Sequence, residues 1–250
     1  MTHPFYAIHS HGLIRVAAAT PRASVGDTGA NAEATIALAR EADARGVDLV
    51  VFPELNLTSY AIDDLHLQTA QQRATLAAIA TVVEASATLR PMLLVGAALA
   101  RNGRLYNCAL AIARGKVLGV VPKTFLPNYR EFYEKRYFAH GRGCTDLWIG
   151  LAGEEVPFGT DLVFAANDLP HFVVHAEICE DYWAPTPPST QGALAGALIC
   201  ANLSASNVVI GKGRERMLLA EAQSARARIS SASPCPASPP AIPPKAMPGR

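Results

Sequence analysis

Continuous apolar segments constrain the fold of this chain more than any other feature of its sequence. The clearest is Leu49–Phe52, and similar runs occupy residues 92–99 and 198–203. A strand without polar alternation is typical of a sheet that is covered on both faces. Segments with helical periodicity alternate with such runs, for example at 29–45 before the first and at 214–226 after the last. The alternation predicts a layered α/β fold.

Turn signals in the middle of the chain predict antiparallel strands within this fold. Asn102-Gly103 precedes a strand-like segment at 106–113, and Arg114-Gly115 separates that segment from another at 116–121. Glycine supplies the positive φ that tight hairpins need. We therefore expect a sandwich with mixed sheets rather than a purely parallel, doubly wound sheet.

Composition excludes several classes of protein. Half of the 250 residues are hydrophobic and 17% are charged, which is enough to bury a sizeable core. A net charge of +1 gives no sign of a nucleic-acid partner, and no apolar run is long enough to predict a membrane helix. The cysteines are scattered without a CxxC pair, which favours a reduced, cytoplasmic protein without a zinc site. They are Cys108, Cys144, Cys179, Cys200 and Cys235.

The C-terminal residues differ in composition from the rest. Residues 227–250 contain seven of the 18 prolines together with many Ala and Ser, and they contain no aromatic residue. A segment of this kind does not form an apolar face that could join a core. We therefore predict one domain over residues 1–226, followed by a tail that is disordered or has been translated out of frame.

Three predicted strands end abruptly in an ionisable residue. These residues are Glu54, Lys123 and Cys179. Strand ends in α/β folds converge on a crevice, so we expect the three side chains to meet. A cysteine nucleophile, a carboxylate base and a lysine together suit acyl transfer from an amide, since the lysine can stabilise the oxyanion that forms when the carbonyl is attacked. Taken singly, each residue has a structural explanation, namely a buried thiol, a surface lysine and a capping glutamate.

Other catalytic motifs are weak or absent. The pair His9 and His11 is more simply explained as a polar edge near the N-terminus than as a metal site. Gly211-Lys212-Gly213 lacks the frame of a phosphate-binding loop, and no GxSxG elbow occurs.

The three strand-end motifs resemble the signatures of the nitrilase superfamily, in the same order. They read DLVVFPE at 48–54, VPK at 121–123 and AEICED at 176–181. Longer segments are similar to one branch of it, the N-terminal glutaminase domain of glutamine-dependent NAD synthetases. These segments are 56–60, 123–136, 179–183 and 202–206, and the resemblance covers roughly residues 10–226.

This resemblance implies an αββα sandwich and a role for each matching residue. Cys179 would attack the glutamine carboxamide, with Glu54 as the base and Lys123 supporting the tetrahedral intermediate. Glu134 corresponds to a second carboxylate that positions the site. The family's glutamine contacts fall on Tyr60, Tyr129, Ser206 and Lys212.

The resemblance also bears on cofactors and partners. Glutamine hydrolysis would need neither cofactor nor metal, whereas ATP and Mg²⁺ serve the family's synthetase domain, whose SGGxDS signature does not occur here. Expected partners are glutamine, further copies of this chain, and a synthetase domain or subunit supplied separately. Two alternatives stay open, namely a free-standing amidase for another small carboxamide and a non-catalytic fragment that only binds partner subunits.

Overall fold

A computed structural model describes residues 7–234, in which two β-sheets lie between two pairs of α-helices. The first sheet contains β1 (Val16–Ala18), β2 (Leu49–Val51), β3 (Met92–Arg101), β4 (Arg104–Ala113), β5 (Lys116–Pro122), β6 (Leu147–Leu151) and β7 (Glu154–Phe158). The second contains β8 (Val163–Ala165), β9 (Val173–Ile178), β10 (Ile199–Leu203) and β11 (Ser230–Ala232). The helices are α1 (Thr28–Ala44), α2 (Thr69–Ser86), α3 (Pro188–Leu194) and α4 (Lys212–Ala227).

Both sheets are mixed, as the hairpin signals predict. The first has the order β1-β2-β3-β4-β5-β7-β6, with parallel pairing from β1 to β3 and antiparallel pairing from β3 to β5. The second has the order β11-β10-β9-β8, and only β8 runs antiparallel to its neighbour. Since β2, β9 and β10 are parallel strands of their sheets, their carboxyl ends can gather at one edge of the sandwich.

The continuous apolar runs exist because successive side chains enter two different cores. On β2, Val50 packs with residues of α1 and α2, whereas Leu49 and Val51 pack between the sheets. Each of these side chains is fully buried. The four-layer order, α1 and α2, first sheet, second sheet, α3 and α4, agrees with the αββα prediction.

The predicted tail contains a strand. Ser230–Ala232 pairs in parallel with β10, and Ile229 before it is buried. The prediction of disorder from residue 227 is therefore wrong for this stretch. Pairing with β10 satisfies its backbone hydrogen-bonding groups, and composition alone does not reveal such pairing. Residues 235–250 lie outside the described part of the chain.

The N-terminal histidines also differ from the expectation of a polar strand edge. Ile8–His11 forms a short 3-10 helix, and His9 contacts the Asp48 carboxylate at 2.9 Å. Across residues 7–234, none of the helices combines the length and hydropathy needed to cross a bilayer.

Candidate active site

The three strand-end residues meet at one edge of the sandwich, together with Glu134. Lys123 follows β5 and its Nζ donates to Glu54 Oε1 at 2.5 Å and to Glu134 Oε1 at 2.7 Å. All three side chains are almost completely buried. Cys179 follows β9, is also buried, and lies within the electrostatic reach of Glu54 and Lys123. The predicted convergence is thus present in the structure.

Two groups in addition to Lys123 hold the Glu54 carboxylate. Asn107 on β4 donates its Nδ2 to Oε1 at 2.8 Å, and the backbone N–H of Ala205 donates to Oε2 at 3.2 Å. Gly96 on β3 lets the backbone of the Glu54 loop approach closely, since a Cβ there would lie 2.4 Å from the nitrogen of Leu55. These contacts fix the carboxylate before any substrate enters.

Cys179 lies on a strained turn where β9 ends. Its φ is +46°, in the left-handed region that non-glycine residues adopt at a cost of about 1–3 kcal/mol. Ser204 Oγ donates to its sulfur at 3.6 Å, and Asn202 Nδ2 donates to its carbonyl oxygen at 3.4 Å. Such strain is common at functional sites because it presents a side chain to a crevice.

The site keeps the thiol neutral and the lysine charged. Burial and the charge of Glu54 raise the pKa of Cys179 to about 12, although Lys123 and Ser204 act in the opposite direction. Burial alone would lower the pKa of Lys123, but Glu54 and Glu134 raise it above its usual range. At neutral pH the sulfur therefore needs a base at the moment it attacks.

Glu134 connects this cluster to the aromatic segment before it. Tyr60 donates its hydroxyl to Glu134 Oε1 at 2.7 Å. Burial raises the pKa of Glu134 to about 7, while Lys123 lowers it and Glu54 raises it further. Two carboxylates thus share one lysine, an imbalance that is a frequent mark of catalytic sites.

The predicted substrate residues gather around the ring of Phe132. The rings of Tyr60 and Tyr129 lie 6.3 and 5.9 Å from it, and Lys212 Nζ lies 5.9 Å from its centre. Tyr129 is half exposed and donates its hydroxyl to Glu180 at 3.0 Å. Lys212 donates to Asn207 and is the first residue of α4.

Ser206 is placed somewhat differently. It is buried in the loop after β10, directly after Ala205, whose N–H binds Glu54. The structure therefore brings three of the four residues to one aromatic wall and places the fourth beside the carboxylate cluster. Their contacts with a substrate stay predictions.

Sequence reasoning missed two buried residues that contact this cluster. Asn107 holds Glu54, and Ser204 contacts the Cys179 sulfur. Asn107 could have been noticed as a fully buried amide within the apolar strand β4. Ser204 has no comparable signal, because serines are common where strands end.

A large cavity lies away from this site, at another place in the described part of the chain. A cavity of about 820 Å³ lies where β3 and β5 begin, lined by residues that include His9, Asp48 and Arg90. Within residues 7–234 no group of three His, Cys, Asp or Glu side chains is placed to hold a metal ion.

Comparison with protein-family models and curated proteins places these residues in a known context. Residues 15–234 match the carbon-nitrogen hydrolase family. The glutamine-dependent NAD(+) synthetase of Mycobacterium tuberculosis is 50% identical over 222 residues, which cover 89% of this chain and 32% of that protein. The corresponding protein of Thermotoga maritima is 33% identical over 200 residues, covering 80% and 31%. The chain thus spans about a third of the length of these relatives.

Solved structures show the same fold at lower sequence identity. A glutamine-dependent NAD(+) synthetase from Cytophaga hutchinsonii has a TM-score of 0.78 at 24% identity, covering 88% of this chain and 35% of that one. An amidase from Nesterenkonia sp. has a TM-score of 0.68 at 17% identity, covering 88% and 74%. Both similarities support the fold, and at this identity they support nothing more specific.

Proposed function

Because the chain belongs to the carbon-nitrogen hydrolase family, we propose that it hydrolyses the side-chain amide of glutamine through a thioester on Cys179. The observation that carries this proposal is the buried cluster in which one lysine binds two carboxylates beside a neutral thiol. A general base, an oxyanion donor and a nucleophile are the three parts that amide cleavage needs.

In the first half of the reaction, the sulfur of Cys179 bonds to the amide carbon while its proton passes to Glu54. The carbonyl oxygen becomes an oxyanion, which the Lys123 ammonium stabilises. When the carbon–nitrogen bond breaks, Glu54 returns the proton to the departing nitrogen, so that ammonia leaves and a thioester remains.

In the second half, water replaces ammonia. Glu54 removes a proton from the water as its oxygen bonds to the thioester carbon. The carbon–sulfur bond then breaks, the proton returns to the sulfur, and glutamate leaves. Glu134 holds Lys123 in place through both halves, since its Oε1 binds the same ammonium group at 2.7 Å.

Glutamine is proposed as the substrate because of the wall around Phe132. Lys212 is the cation for the substrate carboxylate. Tyr60 and Tyr129 supply hydroxyl groups at the same wall, and Ser206 supplies one beside Glu54. The names of the relatives add support, since each is called a glutamine-dependent NAD(+) synthetase.

The released ammonia would serve an amidation. We expect the acceptor to be nicotinic acid adenine dinucleotide, converted to NAD by a synthetase domain that these 250 residues do not include. That domain would use ATP and Mg²⁺. Assembly with further copies of this chain and a cytoplasmic location are part of the same expectation.

Glutamate release from glutamine by the purified 250-residue chain tests the proposal, with Cys179→Ala as the matched control. We expect release by the wild-type chain and none by the variant. A folded wild-type chain that releases no glutamate would reject the activity for this chain. A panel of small carboxamides tests the amidase alternative, which gains if another amide is cleaved faster than glutamine.

A further inference from the structure

We propose that Asp181 is a positioning residue, whose buried carboxylate holds the turn of Cys179 against the segment that follows Lys123. This inference deepens the function proposed above and rests on the same site. Asp181 lies two residues after the nucleophile, and its side chain is almost completely buried. Its hydrogen bonds all come from backbone N–H groups, and none comes from the thiol or the lysine ammonium.

Three backbone N–H groups converge on this carboxylate from two directions. Ile178 donates to Oδ2 at 3.0 Å from the end of β9. Thr124 and Phe125 donate to Oδ1 at 3.0 and 2.7 Å from the segment after β5, and Thr124 also shares its N–H with Oδ2 at 3.3 Å. One side chain thus binds the residue before the nucleophile and the residue after the lysine.

This bridge matters because β5 and β9 belong to different sheets. Strands of one sheet are held in register by their backbone hydrogen bonds, whereas facing sheets meet through apolar side chains that have little directional preference. A carboxylate that accepts three directional hydrogen bonds fixes the distance between the Cys179 turn and the segment after Lys123, which sheet packing alone does not. The positive φ of Cys179 adds a reason, since a strained turn persists only when its surroundings hold it.

Asparagine is the informative replacement at this position. It has nearly the same shape as aspartate, but only one oxygen remains as an acceptor, and an NH₂ group replaces the other. Whichever way the amide turns, its NH₂ group meets a backbone N–H on one of the two sides. Asp181→Asn therefore weakens the bridge on one side or the other without opening a cavity.

Glu177 provides a matched control within the same strand. It lies two residues before Cys179, and its carboxylate is equally buried. It accepts from the backbone N–H of Ser189 at 3.0 Å, at the start of α3, and not from the segment after β5. Glu177→Gln thus replaces a buried carboxyl group by an amide of the same shape, at the same sequence distance from the nucleophile, and leaves the bridge intact.

The experiment measures the alkylation of Cys179 by iodoacetamide in the wild-type chain and in both variants. The labelled Cys179 peptide is quantified by mass spectrometry, because other cysteines are present. Glutamine kinetics and thermal melting are recorded on the same samples, well below each melting temperature. We expect Asp181→Asn to be alkylated about 10-fold more slowly, with kcat about 100-fold lower and KM nearly unchanged.

A purely electrostatic role for Asp181 predicts the opposite sign. Removing a negative charge near a thiol lowers the thiol pKa and speeds alkylation at a given pH. Faster or unchanged alkylation of folded Asp181→Asn would overturn the proposal, as would an equal loss in Glu177→Gln. The alkylation assay needs no glutamine, so it decides the role of Asp181 even if the glutaminase proposal fails.

If Asp181→Asn does not fold, the same alkylation assay is applied to Thr124→Pro. Proline removes one N–H donor of the bridge and leaves the Asp181 side chain unchanged. It also favours an extended residue before it, which suits Lys123 at the end of β5. We expect slower alkylation of Cys179 in this variant, and a wild-type rate in the folded variant would overturn the proposal.

Discussion

The two ends of strand β2 each carry a buried carboxylate, and they use it differently. At the start, Asp48 binds His9 at 2.9 Å and Arg90 at 2.7 Å, and both partners are partly exposed. Beyond the end, Glu54 binds Lys123, which has no exposed surface. The same strand therefore places one carboxylate beside partly exposed basic side chains and the other in a sealed cluster.

The balance of charge differs as well. Burial would raise the pKa of Asp48, but hydrogen bonds from His9, Arg15 and Arg90 outweigh it and lower the pKa. In the sealed cluster two carboxylates compete for one lysine, and the pKa of Glu134 rises to about 7. The first arrangement stabilises the fold, whereas the second retains charge that is costly to bury and chemically useful.

Lys123→Met gives the largest expected effect, because it removes the cation from the sealed cluster. Glu54 and Glu134 would then face each other without a counter-charge. We expect glutamine hydrolysis to fall about 1,000-fold, since the oxyanion loses its donor. The free energy of unfolding should fall by about 3–5 kcal/mol, measured by urea denaturation. A variant as stable as the wild-type chain would contradict this description of the cluster.

Glu134→Gln tests the raised pKa with a smaller expected effect. Between its ordinary value of 4.5 and about 7, the native state holds a proton that the unfolded chain has released. Stability from this group therefore falls as the pH rises through that window. The variant lacks this titration, so the wild-type chain should lose about 1–3 kcal/mol relative to it between about pH 5 and pH 8.

The same variant also loses the charged partner of Lys123. We expect kcat for glutamine to fall about 100-fold through displacement of the ammonium group. Urea denaturation across the pH range and glutamate release measure the two effects separately. A stability difference that is independent of pH would show that Glu134 does not titrate in this window.

Asp48→Asn should have the smallest effect and the opposite pH dependence. A lowered pKa contributes stability above the ordinary value of 3.8, and this contribution is lost as the pH falls through the folded value. We expect the free energy of unfolding to fall by about 1–2 kcal/mol at neutral pH. The loss is small because the partly exposed partners can return to water, and it shrinks in acid because the wild-type carboxylate itself becomes protonated there. Glutamine hydrolysis should stay within about twofold. A large loss of activity would mean that the two ends of β2 are coupled.

The sequence predicts the strand ends well and the contacts between them poorly. Apolar runs locate Glu54, Lys123 and Cys179 because a strand that is buried on both faces has to stop where polar residues begin. Periodicity does not reveal which polar groups face each other, so Asn107 and Ser204 were missed.

Two elements of the fold were missed for a similar reason. The hairpin β6–β7 alternates exposed and buried residues and contains Gly150 and Pro157, which weaken its strand signal. β11 consists of two serines and an alanine, and it is a strand because β10 offers an unpaired edge. Tertiary pairing decides both cases, and local composition does not.

Acid quenching during glutamine turnover would show whether Cys179 carries the acyl group. Mass spectrometry of the quenched chain and its peptides would locate a covalent glutamyl adduct. We expect an adduct on the Cys179 peptide of the wild-type chain, and neither adduct nor hydrolysis in Cys179→Ala. Glutamine hydrolysis that persists in the variant, or an adduct on another residue, would contradict this role of Cys179.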